Sequence, residues 1–383
     1  MPRVAGSYVT TTTLGETVGA FIPHPLPPAA PALDPTLFAA VLRRAELALA
    51  RLAGMTGLVP SVEWLLYSAI RQEALLTSQI EGTQATLTDL FDDEAGLAVD
   101  NEADVEEVSN YLRAFHHVRE VLADPQGLPI CMRLLCEAHR LLLVGARGAG
   151  RQPGEIRRSQ NWIGGTRPGN AAFVPPPPEQ LGLLLGDLER FIHDPQPTLP
   201  ALVRVALVHA QFETIHPFLD GNGRIGRLLM GLLLEQWGLL RQPLMYLSGY
   251  LKRHQAEYYR RLSGTRAEGD WEGWVAFFLG AVVDAAAEAE RQVIDLASLI
   301  AADRRRLLAA EKVTPAAYRL FEALPMMPRF TVEAARRRLD TTFPTASAAI
   351  GVLESLGIVR ETTGQKKNRA YSYQAYVALL TGR

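Results

Sequence analysis

The chain has 383 residues, 48 % hydrophobic and 21 % charged, the profile of a soluble globular protein with room for two or three domains. A formal net charge of −2 argues against a chain coated in nucleic acid, and Cys131 and Cys136, too few for a staple and close together, suit buried reduced thiols rather than a disulfide or zinc site. Residues 1–20 are polar and threonine-rich and the longest apolar stretch, 228–234, is too short to span a bilayer, so a cytoplasmic protein with no membrane partner is expected.

In chain order, residues 1–36 are rich in Pro and Thr, lack periodicity, and read as an extended N-terminal arm lying on the body. Apolar residues then recur at helical spacing over 35–53, 61–81, 87–92, 102–122 and 130–143. The stretch 37–125 is taken as an N-terminal helical region and 126–300 as the core. A Gly/Arg-rich loop crosses 144–159. It leads to residues 160–176, where Gly164 and Gly165 suit a turn and the prolines that follow stop a regular strand. Further helices are expected over 178–193, 201–215, 224–237, 249–265 and 271–308.

Between two of those helices lies HPFLDGNGRIGR, from His216 to Arg227. It holds an imidazole, a carboxylate (Asp220), Asn222 between Gly221 and Gly223, and Arg224 and Arg227 three apart. The glycines reach backbone conformations closed to other residues, so successive N–H groups can face inward as an anion nest. The following helix begins there, and its free N–H groups and dipole favour a phosphate. Two cations on one face of a first turn oppose that dipole unless an anion lies between them. Upstream, Thr77 and Glu81 fall one helical turn apart on one face, and Gly82 follows them.

The string resembles, position for position, the signature of the Fic family, and TSQIEG from Thr77 to Gly82 resembles the family's inhibitory motif. The resemblance implies a mainly α fold: a helical Fic core with a short β-hairpin flap at 160–176, preceded by a helical region that carries the inhibitory helix. It implies transfer of AMP from ATP to a Ser, Thr or Tyr hydroxyl of a protein. His216 is then the general base and Asp220 the Mg²⁺ ligand. Gly221, Asn222, Gly223 and Gly226 shape the phosphate loop, Arg224 and Arg227 bind phosphates, and Phe218 packs the loop onto the core. Glu81 is expected to hold Arg227 away from the nucleotide. The flap, with Ile163 and Gly164, is expected to dock the target by strand addition, and Tyr258 and Tyr259 match an aromatic pair lining an adenine pocket. At His254-Gln255 the chain departs from the polar Asn/Arg run of many relatives.

From residue 314 the character changes. Residues 301–383 carry fourteen Lys and Arg against seven Asp and Glu. Helices over 315–324, 332–339 and 345–356, then two short strands around a basic turn with Lys366, Lys367 and Arg369, have the layout of a winged-helix domain at 310–383. The third helix has no Arg, Lys, Asn or Gln to read base edges. The module is therefore read first as holding a partner, a second subunit or the modification target, and DNA binding through 314–373 is the alternative. The protein substrate, which can include the chain itself, is not specified by these residues. A homodimer is expected from the resemblance. The competing functional readings are removal of AMP by the same site and a DNA-binding regulator with a nucleotide-sensing core.

Overall fold

The computed structural model describes residues 3–55, 61–145, 150–365 and 367–382; Lys366 lies outside them. Residues 3–36 are not a single extended arm. They form an antiparallel hairpin, β1 (Gly6–Thr13) and β2 (Glu16–Pro23), with Thr13 opposite Glu16. Leu14 and Gly15 turn it with φ of 50° and 78°, both left-handed, as a two-residue hairpin loop requires. Leu14 stands where Asn or Asp would advertise such a turn, and the threonines hide the alternation.

The N-terminal helical region contains α1 (Ala39–Gly54), α2 (Val62–Ile80), α3 (Leu87–Glu94) and α4 (Glu102–Ala123). The core then follows: α5 (Met132–Leu142), α6 (Pro178–Ile192), α7 (Ala201–Ile215), α8 (Asn222–Gln236), α9 (Ser248–Arg253), α10 (Gln255–Ala267) and the 38-residue α11 (Trp271–Leu308). The single helix expected over 249–265 is broken at His254, so α9 and α10 are separate. Cys131 and Cys136 are free and half-buried rather than fully buried.

Helix α7 is the axis of the core. Every residue from Leu202 to Ile215 is buried, because the sequence is apolar almost all round the helix. Backbone bonds tie it to its neighbours: its own Arg204 donates to the last carbonyls of α6, at Phe191 and Ile192, and Trp274 Nε1 of α11 donates to Ala206 O at 2.8 Å. Helix α7 ends at His216, whose φ of 51° turns the chain sharply, and Pro217 forbids any continuation.

The C-terminal residues form α12 (Pro315–Ala323), β3 (Arg329–Thr331), α13 (Val332–Leu339), α14 (Phe343–Ser355), β4 (Arg360–Glu361), β5 (Ala370–Ser372) and an unanticipated α15 (Gln374–Thr381). The sheet is antiparallel in the order β3-β5-β4. This part is fastened to the rest at buried points. Tyr373 Oη donates to Asp303 on α11 at 2.7 Å, and Gln72 Nε2 on α2 donates to Leu380 O at 2.8 Å. Among the described residues no helix is long and apolar enough to cross a membrane.

Candidate active site around His216

The loop between α7 and α8 is held from inside. Asn222 Oδ1 accepts from Phe218 N and its Nδ2 donates to Phe218 O, both at 2.8 Å, so this side chain braces the loop and only its backbone is left for an anion. Phe218 is fully buried and stacks face to face on His139 of α5, centroids 3.9 Å apart. Gly154 N–H donates to His139 Nδ1, which leaves Nε2–H to donate to Asp220 O at 3.0 Å. Burial pushes the His139 imidazole down to about 4, so the ring stays neutral in this role. His139 was invisible in the sequence because it is a lone residue some eighty positions from its partner.

His216 is half-buried, and its Nδ1 has no hydrogen-bond partner among the described residues. Burial, and then the nearby Arg157 guanidinium, push its imidazole down to about 4. A neutral imidazole is equipped to accept a proton. Three residues earlier on α7, buried Glu213 is pushed up to about 7 by burial, Arg227 working against it. A Cβ at Gly226 would lie 2.5 Å from Glu213 Oε1, so a side chain there would have to push that carboxyl aside.

Gly221 (φ 74°) stands at the N-cap of α8, and no side chain caps the helix. The free end faces a cleft of about 260 Å³ whose walls include Glu81, Glu107, Asn110, Leu143, Asp220 and Arg224. Both motif arginines point to carboxylates from the N-terminal helical region. Arg227, 1 % exposed, donates to Glu81 Oε1 at 2.5 Å, to Thr77 Oγ1 at 2.7 Å and to Thr77 O at 3.1 Å. Arg224, 5 % exposed, pairs with Glu107 of α4 and stands 3.7 Å from Asp220. Burial alone would raise the Glu81 carboxyl, but Arg227 outweighs it and holds it below the ordinary range. The Glu81 carboxylate also lies against the start of α8: a Cβ at Gly223 would be 2.4 Å from its Oε1. It occupies the neighbourhood that the helix N-terminus prepares for an anion. The end of α2 is secured further by Lys252 to Gln79 and by Gln255 to Ile80 O, so the departure at position 255 serves this helix.

Asp220 is a half-exposed carboxylate on a cleft that Glu81, Glu106 and Glu107 also line, and among the described residues no three His, Cys, Asp or Glu gather as a metal cage. That donor set fits a Mg²⁺ whose remaining ligands are phosphate oxygens and water. Three sequence readings are placed elsewhere. Tyr258 is a core residue, 1 % exposed, with its hydroxyl donating to His209 at 2.8 Å, so it lines no open adenine pocket. Tyr259 is the exposed member of the pair. Ile163 and Gly164 lie in the flap, where Ile163 pairs with Phe173 through two backbone bonds, rather than on the cleft wall.

The Fic/DOC family N-terminal model matches residues 39–120, and the Fic/DOC family model matches residues 129–234. Relatives include the protein adenylyltransferase Fic of Drosophila grimshawi, 35 % identical over 153 residues, which are 40 % of this chain and 28 % of the relative. The protein of the same name from Aedes aegypti is 35 % identical over 149 residues, 39 % of this chain and 27 % of the relative. The chain thus matches less than a third of the length of these curated relatives. Among solved structures, a Fic family protein from Desulfovibrio desulfuricans G20 superposes with a TM-score of 0.56 at 21 % identity, over 89 % of this chain and 96 % of that one. Fic-1 (residues 134–508) from C. elegans superposes with a TM-score of 0.51 at 22 % identity, over 66 % and 73 %. At these identities the structures speak for the fold.

Proposed function

Residues 39–120 and 129–234 match the two Fic/DOC family models, and from that premise we propose that the chain is a protein adenylyltransferase held in check by its own Glu81. In the reaction, His216 takes the proton of a Ser, Thr or Tyr hydroxyl on a protein. The freed oxygen forms a bond to the α-phosphorus of ATP, the bond from that phosphorus to the bridging oxygen breaks, and pyrophosphate leaves. The start of α8 and Arg224 receive phosphate oxygens, and Arg227 joins them once it is released. Mg²⁺ held by Asp220 would neutralise charge on the phosphates.

The observation that carries this reading is the Glu81 carboxylate at 2.5 Å from Arg227, beside the uncapped start of α8. It is a built-in anion at the place a polyphosphate needs, and it neutralises one of the two cations. Wild type and Glu81→Gly, incubated with α-labelled ATP and Mg²⁺, test it by label on protein. Strong labelling with Glu81→Gly and weak labelling with wild type is the expected result. Equal labelling by both removes the repression, and labelling by neither removes the transferase.

A further inference from the structure

Arg157 is 1 % exposed, and it was not singled out by the sequence. Among the described residues no carboxylate is hydrogen-bonded to it, and Glu179 acts on it only from a distance; its side-chain bonds all go to backbone carbonyls. Nε donates to His216 O at 2.9 Å and Nη2 to Ile215 O at 3.4 Å. Nη1 donates to Ser159 O at 3.2 Å and Nη2 also to Pro176 O at 2.6 Å. Its own N–H reaches Pro217 O at 2.9 Å. One set of partners surrounds the left-handed turn at His216. The other set is the two feet of the flap, since residues 159 and 176 bracket the Ile163–Phe173 pair.

Burying a guanidinium among neutral partners is costly, and burial pushes its pKa down to about 10. A structural tie between loops does not require a charge. A planar fork with five donors is required where several carbonyls converge from different segments, and Lys cannot supply it. A second link runs the same way: Asn161 Nδ2, on the rising arm of the flap, donates to Phe218 O at 3.1 Å.

We infer that Arg157 is a positioning residue that locks the flap to the His216 turn, so that a hydroxyl docked on the flap meets the imidazole in a fixed register. The inference rests on the reading of the flap as docking surface and His216 as base. It does not need Arg157 to touch nucleotide or target.

Arg157→Lys and Arg157→Met in the Glu81→Gly background test it. Displacing a base by about an ångström costs on the order of 100-fold, so the turnover number for protein AMP transfer is expected to fall by about that factor, with ATP binding within roughly threefold of the parent. Transfer within threefold of the parent, or ATP binding lost in step with transfer, overturns the inference. Hydrogen exchange on the nucleotide-free protein decides it independently of the reaction. In Arg157→Lys, exchange is expected to quicken together in 160–176 and in 216–221 while α7 and α11 stay protected. Quickening in only one of the two, in neither, or throughout the chain overturns it. If the Glu81→Gly parent transfers no label, the adenylyltransferase reading fails while the exchange result still stands.

Discussion

Arg224 and Arg227 leave the same turn of α8 and meet two different kinds of glutamate. Glu81 sits at the very end of α2, with Gly82 next at φ 106°, and its side chain is 34 % exposed. Glu107 sits within the 22-residue α4, and its side chain is 15 % exposed. Arg227 keeps two bonds to Thr77 if Glu81 departs. Arg224 has no such reserve: beyond Glu107 it has Asp220 at 3.7 Å, and its Nε is buried without a hydrogen-bond partner among the described residues. Both guanidiniums are buried, so the difference lies with the carboxylates: Glu81 ends its helix with a glycine behind it and leaves Arg227 two bonds to Thr77, whereas Glu107 is fixed in mid-helix. On the proposed reading, the same ion-pair chemistry serves as a releasable clamp in one place and a fixed orienting contact in the other.

The premise shared by both pairs is a single reaction centre at His216. With Glu81→Gly as parent, His216→Ala is expected to lower AMP transfer by about 10²–10⁴-fold, the usual contribution of a positioned base. Undiminished labelling would separate both arginines from the chemistry. Next, Glu107→Gln in the same parent should weaken ATP binding about tenfold, because a hydrogen bond to a charged group is typically worth ~1.5–3 kcal/mol, and should leave AMP binding alone. Calorimetric titration of the two nucleotides checks this. Tighter ATP binding would make Glu107 a second clamp and end the distinction.

Stability should show the same order with smaller effects. Glu107→Gln leaves Arg224 buried without its charge partner and is expected to cost about 2 kcal/mol, below the full figure for a completely buried pair. Glu81→Gln, at a partly exposed site, is expected to cost about 1 kcal/mol or less. Chemical denaturation reads both, and the reverse order would contradict the contrast.

Mild acid should separate stability from the clamp. His139 and His216 are held down to about 4 and His209 to about 3, each chiefly by burial, so the unfolded chain binds more protons than the folded one below an ordinary histidine pKa of about 6.5. Their contribution is intact above that pH and is lost as pH falls from about 6.5 toward 4. Glu213, raised to about 7, works in the opposite direction because the folded state holds its proton, so it offsets about one of the three histidines and a net loss remains. Glu81, held below the ordinary carboxylate range, stays ionised between pH 7 and 5. Melting temperatures should therefore decline between pH 6.5 and 5, while the activity ratio of Glu81→Gly to wild type stays constant. A ratio that collapses on mild acidification would show the clamp opening with protonation.

The site was legible to the extent that it is contiguous. His216, Asp220, Gly221 and the arginines share twelve residues, and Thr77 with Glu81 share one turn. What the sequence hid are the braces: His139, Arg157 and Glu107 meet the loop from 59 to 117 residues away, each a lone polar residue without a pattern of its own. Tyr258 was misread because an aromatic in a helix has the same letter whether it faces a cleft or, as here, stacks beside His209 and Trp274 in the core. The N-terminal hairpin escaped because four consecutive threonines carry β propensity without alternation, and because Leu14 occupies its turn.

The grip on α2 by Gln72 and Leu380 has a mechanical consequence. From Gln72 to Glu81 is about 13 Å of helix at 1.5 Å per residue, too short a rod to absorb a bend. Whatever shifts the C-terminal sheet and α15 moves one end of a lever whose other end holds Arg227. Dissecting this chain into separately studied pieces would cut that lever, and the piece bearing His216 would report the behaviour of an unloaded helix rather than of the intact molecule.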